Sequence, residues 1–242
     1  NLLLLFGVYR NNPKSSTNRS YAGLGFVMSL WLIAGFLSVY PETNLFWARM
    51  TVFSATLMSM MFFMLARTLS YGRIGLQKTT LGLSLVATGA VMALTLSPLT
   101  FRGVAFINGS PQLIVGPGIA PFALLTSFFT LAAVVIIIRK IRSGSPTQKQ
   151  QLQLVLTGIG LMLGLTIATV MVPVLFSQND FFVAFTPIYT VLFLGLTAYA
   201  IVKYQLFNLK VIAAEAFVVL LAILLGSKLF TYQNVNDLLI DG

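Results

Sequence analysis

Apolar runs of bilayer-crossing length recur along this chain, and no other feature restricts its fold so severely. Residues 21–40, 45–66, 119–138, 152–176 and 181–202 form such runs, and crossing a hydrocarbon core ~30 Å thick takes roughly 20 helical residues. A shorter run, 81–97, fits the same pattern. Residues 1–8 read as the tail of a first span whose beginning is clipped, and 211–230 read as one more run after the joint at Lys203 to Lys210. Hydrocarbon offers backbone N–H and C=O groups no partner, so helices, which pair these groups internally, are the expected element. Composition agrees: 57% of residues are hydrophobic and 8% charged, against roughly 25% charged in a soluble domain. The predicted fold class is all-α, a polytopic transmembrane helical bundle with a clipped first span and about seven further spans.

Alternation of these runs across a bilayer separates the charges. Arg10, Lys14, Arg19, Arg67, Arg73, Lys78, Arg139, Lys140, Arg142, Lys149, Lys203 and Lys210 fall on one side, with Glu215 as its one acid. Arg49, Arg102 and Lys228 fall on the other, with Glu42, Asp180, Asp237 and Asp241. Twelve of the 15 basic residues thus share a side, the asymmetry that marks cytoplasmic loops. The expected location is the inner (cytoplasmic) membrane, multi-pass, with that side in the cytoplasm. The net charge of +10 is explained this way without nucleic acid, and the lipid bilayer is the partner implied. Aromatic rings, which favour membrane interfaces, support the placement. Tyr40, Phe46, Trp47, Phe181, Phe182, Phe230 and Tyr232 fall at outer boundaries, and Tyr9, Tyr21, Tyr71, Tyr204 and Phe207 at inner ones.

What is missing narrows function further. The chain has no Cys and no His, which removes disulfides and the commonest general base and metal ligand. It has no HExxH, no glycine-rich phosphate loop and no paired carboxylates. No run carries Asp, Glu or Lys near its centre, where ion and proton pathways place them. No catalytic residue, metal ligand or cofactor is expected here.

Several polar and small residues remain as candidates. Gly160 and Gly164, with Gly158 before them and Thr166 and Ala168 after, have the spacing that lets helix backbones approach closely. Packing within the chain is the preferred reading, a dimer contact the other. Gly82, Gly89 and Ala93 form a similar strip. Pro98, Pro121, Pro173 and Pro187 gather toward the outer halves: Pro121 suits a first helical turn, whereas kinks at Pro173 and Pro187 would open the outer end to a ligand. Near that end, Arg49 reads as a snorkelling side chain or as a partner for an acid or an anionic signal. The connection after residue 97 holds Arg102, Asn108 and Gln112, and β-branched segments around Asn108-Gly109-Ser110 suggest a small extracellular β-hairpin over residues 104–115. Arg49, Arg102, Asn108, Gln112 and Trp31 are the candidate ligand-binding residues.

The stretch "FLGLTAYAIVKYQLFNLKVI" resembles the closing segment of the seven-transmembrane sensor region at the N-terminus of many prokaryotic membrane histidine kinases. The matching positions are Ala198, Tyr199, Ala200, Ile201, Lys203, Tyr204, Leu206, Phe207 and Asn208. "NNPKSSTNRSYAGLGFVMSLW", with Asn18 and Trp31, is similar to that family's first cytoplasmic loop and second span. "FWARM" resembles the start of its third span, and "TPIYTVLF" the outer half of its seventh. The resemblance covers residues 1–210. It implies a sensor bundle over 1–210; residues 211–242 depart from the family pattern and read as an additional transmembrane helix and outer segment, leading to a C-terminal output region. A homodimer is expected, and a cytoplasmic kinase or other effector in cis, with a small ligand of unidentified class at the outer end. The joint at Lys203, Tyr204, Leu206, Phe207 and Asn208 would transmit the signal. Two alternatives stay open: a stand-alone permease or lipid-handling protein, and the same sensor attached to a different output, such as a cyclic-dinucleotide synthase.

Overall fold

The computed structural model describes residues 2–38, 44–69, 77–107, 110–171 and 185–204. The chain divides into two units, Asn1–Tyr204 and Gln205–Gly242, and the described residues all lie in the first. In chain order they form α1 (Leu2–Asn11), α2 (Ser16–Leu37), α3 (Asn44–Thr68), α4 (Lys78–Leu96), β1 (Phe101–Ile107), β2 (Ser110–Val115), α5 (Ile119–Ser143) and α6 (Pro146–Thr166). A π-helical turn (Ile167–Met171) extends α6, and α7 (Thr186–Tyr204) completes the set. Helices α2 to α7 are each long and apolar enough to cross a membrane, and α1 is a shorter apolar helix. The chain is a multi-pass membrane protein. The further run at 211–230 lies outside the described residues.

Helix α2 lies along α3, which also packs on α4 and α5; α6 lies along α7, and α7 closes back onto α1 and α2. Half of the spanning part of α7 and 44% of that of α3 are buried, against 11% for α4 and 17% for α5. The core is therefore built on α3 and α7, while α4 and α5 turn broad apolar faces outward. Its fully buried side chains include Tyr21, Leu24 and Met28 of α2, Met60 and Leu65 of α3, and Phe193, Leu194 and Ile201 of α7. The rings of Phe62 and Phe193 pack edge to face, 6.1 Å apart. Since lipid tails are as apolar as Leu, close fit rather than water exclusion holds such helices together. Gly25 supplies that fit at the α1–α2 crossing, where a Cβ would run into the Leu5 side chain.

Two connections are shorter than the sequence suggests. The basic stretch before residue 152 reads as a loop, yet only Gly144 and Ser145 separate α5 from α6. The reason is local. Ser145 Oγ accepts from the Gln148 N–H at 3.4 Å, the Ser145 N–H donates to Gln148 Oε1 at 3.0 Å, and Pro146 occupies the first turn. Such a capping box with an early proline starts a helix efficiently. Likewise α2 begins at Ser16, with Ser15 as its cap.

The hairpin is present and begins at Phe101. Its strands pair antiparallel, with Phe101 opposite Val115 and Ile107 opposite Ser110, and a bulge lies between Phe101 and Gly103. Its base is stitched by Gly116 N–H to Thr100 O and Gly118 N–H to Leu99 O, both 2.8 Å. A Cβ on Gly116 would collide with the Leu99 carbonyl, so this approach requires glycine.

Candidate functional site

The end of the bundle opposite the hairpin gathers the charges. It consists of the last turns of α1, α3, α5 and α7 and the first turns of α2, α4 and α6. These turns and the links between them carry Arg10, Lys14, Arg19, Arg67, Lys78, Arg139, Lys140, Arg142, Lys149 and Lys203. Here side chains satisfy the carbonyls that every helix leaves unpaired at its C-terminus. Asn18 Nδ2 donates to the Val8 carbonyl of α1 at 2.8 Å. Thr17 Oγ1 donates to the Thr68 carbonyl of α3 at 2.9 Å. Lys140, half-buried in the last turn of α5, donates from Nζ to the carbonyls of Ala66, Arg67 and Leu69 at 3.0, 2.6 and 2.7 Å. A cation at a helix C-terminus also opposes the negative end of the helix dipole, so Lys140 binds α5 to the end of α3 twice over.

Further into the bundle, Tyr21 OH donates to the Leu194 carbonyl of α7 at 2.9 Å. One turn nearer the basic end on each of these facing helices stand Asn18 and Thr197, both buried. Asn18 Oδ1 and Thr197 Oγ1 have no partner among the described residues. The sequence places Tyr21 at the membrane interface; the structure buries it completely, because its ring fills the α2–α7 contact and its hydroxyl finds a carbonyl there. Helix α7 is tied again near its other end, where Tyr189 OH and Thr169 Oγ1 of the π-helical turn lie 2.7 Å apart. At its basic end, exposed Lys203 donates to Tyr199 OH at 2.8 Å. Of the expected joint, Lys203 and Tyr204 complete α7, while Leu206, Phe207 and Asn208 lie outside the described residues.

At the hairpin end, Arg49 is half-buried and donates from Nη2 to the Phe101 carbonyl at 2.6 Å, which fastens β1 to α3. Its Nε is buried with no partner among the described residues. Arg102 is exposed on β1. Gln112 lies on β2 opposite Ala105, and Asn108 is outside the described residues. Trp31 is half-buried on α2. The α2–α3 register, set by Thr17 against Thr68 and Gly23 against Met61, puts it about one turn inward of Arg49. The structure thus brings Arg49 to the foot of the hairpin and leaves Trp31 apart from it.

Two packing expectations are corrected. Gly160 and Gly164 lie on an exposed face of α6, and a Cβ on either would meet nothing within 4 Å. Their neighbour Gly158 is the one that packs: a Cβ there would sit 3.4 Å from Leu196 Cβ and from the Phe193 carbonyl of α7. Gly82 and Gly89 on α4 face outward in the same way. Pro187 is the second residue of α7, a first-turn proline rather than a kink, and Pro173 is outside the described residues. A shallow groove of about 320 Å³ on α5, lined by Thr126, Ser127, Thr130 and Leu131, belongs to neither end. The Thr126 hydroxyl there is already committed to the Phe122 carbonyl at 2.8 Å.

The residues that sequence reasoning passed over are Thr17, Lys140, Thr169 and Tyr189. Only the position of each side chain at the end of a neighbouring helix distinguishes it from ordinary span residues. Among the described residues no group of His, Cys, Asp or Glu could hold a metal. Comparison with curated proteins and with solved structures found no match. A family model described as the N-terminal 7TM region of histidine kinase matches residues 1–210, in keeping with the seven helices α1 to α7 among the described residues, and the chain belongs to that family.

Proposed function

We propose that this region is the sensor of a signal-transducing histidine kinase, set in the inner (cytoplasmic) membrane as a homodimer with its basic end in the cytoplasm. A small or membrane-borne ligand is read at the hairpin end, around Arg49, Arg102, Asn108 and Gln112, with Trp31 deeper between the helices. The joint from Lys203 through Tyr204, Leu206, Phe207 and Asn208 passes the change to a kinase or other effector in cis. The observation that carries this reading is the double attachment of α7, to Thr169 at one end of the membrane and to Tyr21 toward the other. A helix held in this way converts a rearrangement among its neighbours into displacement of its own end. The ligand needs only to bind one arrangement more tightly than the other.

The test uses the full-length protein in lipid vesicles with ATP. Tyr21→Phe and Thr169→Val each release one attachment and should change basal autophosphorylation by at least threefold while helicity stays at the wild-type level. A full-length protein that transfers no phosphate would overturn the kinase reading, and autophosphorylation indifferent to both substitutions would overturn the relay through α7.

A further inference from the structure

The outward face of α5 has the form of a receptor for an amphiphile. Leu124, Phe128, Leu131 and Val135 are exposed by 74, 64, 65 and 43%, and their spacing of three or four residues puts them on one side of the helix. Arg139 and Arg142 continue that line at the basic end, and both are exposed. Lys140 between them is turned inward to the carbonyls of α3, so the division of labour among these three cations is set by helical phase. From Leu124 to Val135 the strip runs roughly 16 Å at 1.5 Å per residue, which matches the roughly 15 Å depth of one leaflet's hydrocarbon.

Among the described residues, no carboxylate answers the charge at the foot of this strip. Glu42, Asp180, Glu215, Asp237 and Asp241 are the acidic residues of the chain, and none is among the described residues. A zwitterionic headgroup brings its own ammonium against the like charge of Arg139 and Arg142. A headgroup with net negative charge does not.

We infer that α5 binds an anionic phospholipid, its phosphate on Arg139 and Arg142 and its acyl chain along Leu124, Phe128, Leu131 and Val135. Guanidinium groups suit phosphate because their planar array of donors matches two oxygens at once, and each cation near an anionic surface strengthens attraction about fivefold.

The full chain, reconstituted in vesicles of equal parts phosphatidylcholine and phosphatidylglycerol, is released into mild detergent and the retained lipids are counted by native mass spectrometry. Phosphatidylglycerol should be retained in excess. The R139Q/R142Q variant should lose that excess more than fivefold, with wild-type helicity by circular dichroism. The R139K/R142K variant, which keeps the charge, should retain most of it. Retention of the two lipids in their bilayer ratio by the wild-type chain overturns the proposal without recourse to any variant. Undiminished retention by R139Q/R142Q, or displacement of the bound lipid by inorganic phosphate alone, overturns it as well.

Discussion

The hydroxyl of Tyr21 donates to the carbonyl of Leu194 at 2.9 Å, joining residues 173 positions apart. It is a side chain of α2 gripping the backbone of α7. Hydrogen bonds between membrane helices contribute on the order of 1 kcal/mol. Tyr21→Phe keeps the ring and removes the bond, so a loss of about that size is expected in unfolding from detergent micelles. A variant as stable as the wild type would mean that the Leu194 carbonyl is served equally well from within its own helix.

Lys140 should matter more. It gives three bonds to the end of α3, and hydrogen bonds made by charged groups contribute about 1.5–3 kcal/mol. Lys140→Met keeps the length of the stem and removes the donors. Hydrogen exchange at the amides of Leu65 to Leu69 should accelerate, while exchange in the middle of α3 stays unchanged. Equal protection in both proteins would show that α3 ends firmly without its cation.

Gly158 and Gly160 provide a matched pair two residues apart. Leucine at position 158 must force α6 away from Phe193 and Leu196, and overpacking of that kind costs about 1–3 kcal/mol. Leucine at position 160 enters open space and should leave monomer stability unchanged. If Gly160→Leu, or the double change with Gly164→Leu, alters crosslinking between copies in membranes, that face is the dimer contact. If it does not, the exposed glycines face lipid alone.

These glycines also show how far the sequence reaches. Runs of apolar residues announce the spans because their length is set by the bilayer, and the hairpin is announced by β-branched residues around Asn108-Gly109-Ser110. Which side of a span faces its neighbours is not written in the same way. Lipid and protein core are both apolar, so Gly158, Gly160 and Gly164 read alike in sequence and differ only once α7 is laid beside α6. Lys140 is hidden for a related reason: between Arg139 and Arg142 it looks like one more charge at a membrane boundary. Only the angular position around α5 separates an inward anchor from outward cations. The start of α6 was legible in principle, since Ser145, Pro146 and Gln148 are start signals, but the surrounding charges made the stretch read as a loop.

Arg49 is expected to govern the hairpin. Arg49→Gln loses the 2.6 Å bond to the Phe101 carbonyl, so amide exchange in β1 and β2 should quicken while the spans remain protected. Unchanged exchange in the strands would show that the glycine-rich base at Gly116 and Gly118 holds the hairpin unaided.

The turn between α5 and α6 has a mechanical consequence. With only Gly144 and Ser145 between the helices and a capping box locking the second of them, the link has almost no slack. Nor can α5 ride up or down against α3 without drawing Lys140 off its three carbonyls. A displacement of α5 along its axis would therefore carry α6 with it in the same direction. At the far end of α6 lies the π-helical turn, where Thr169 meets Tyr189 of α7.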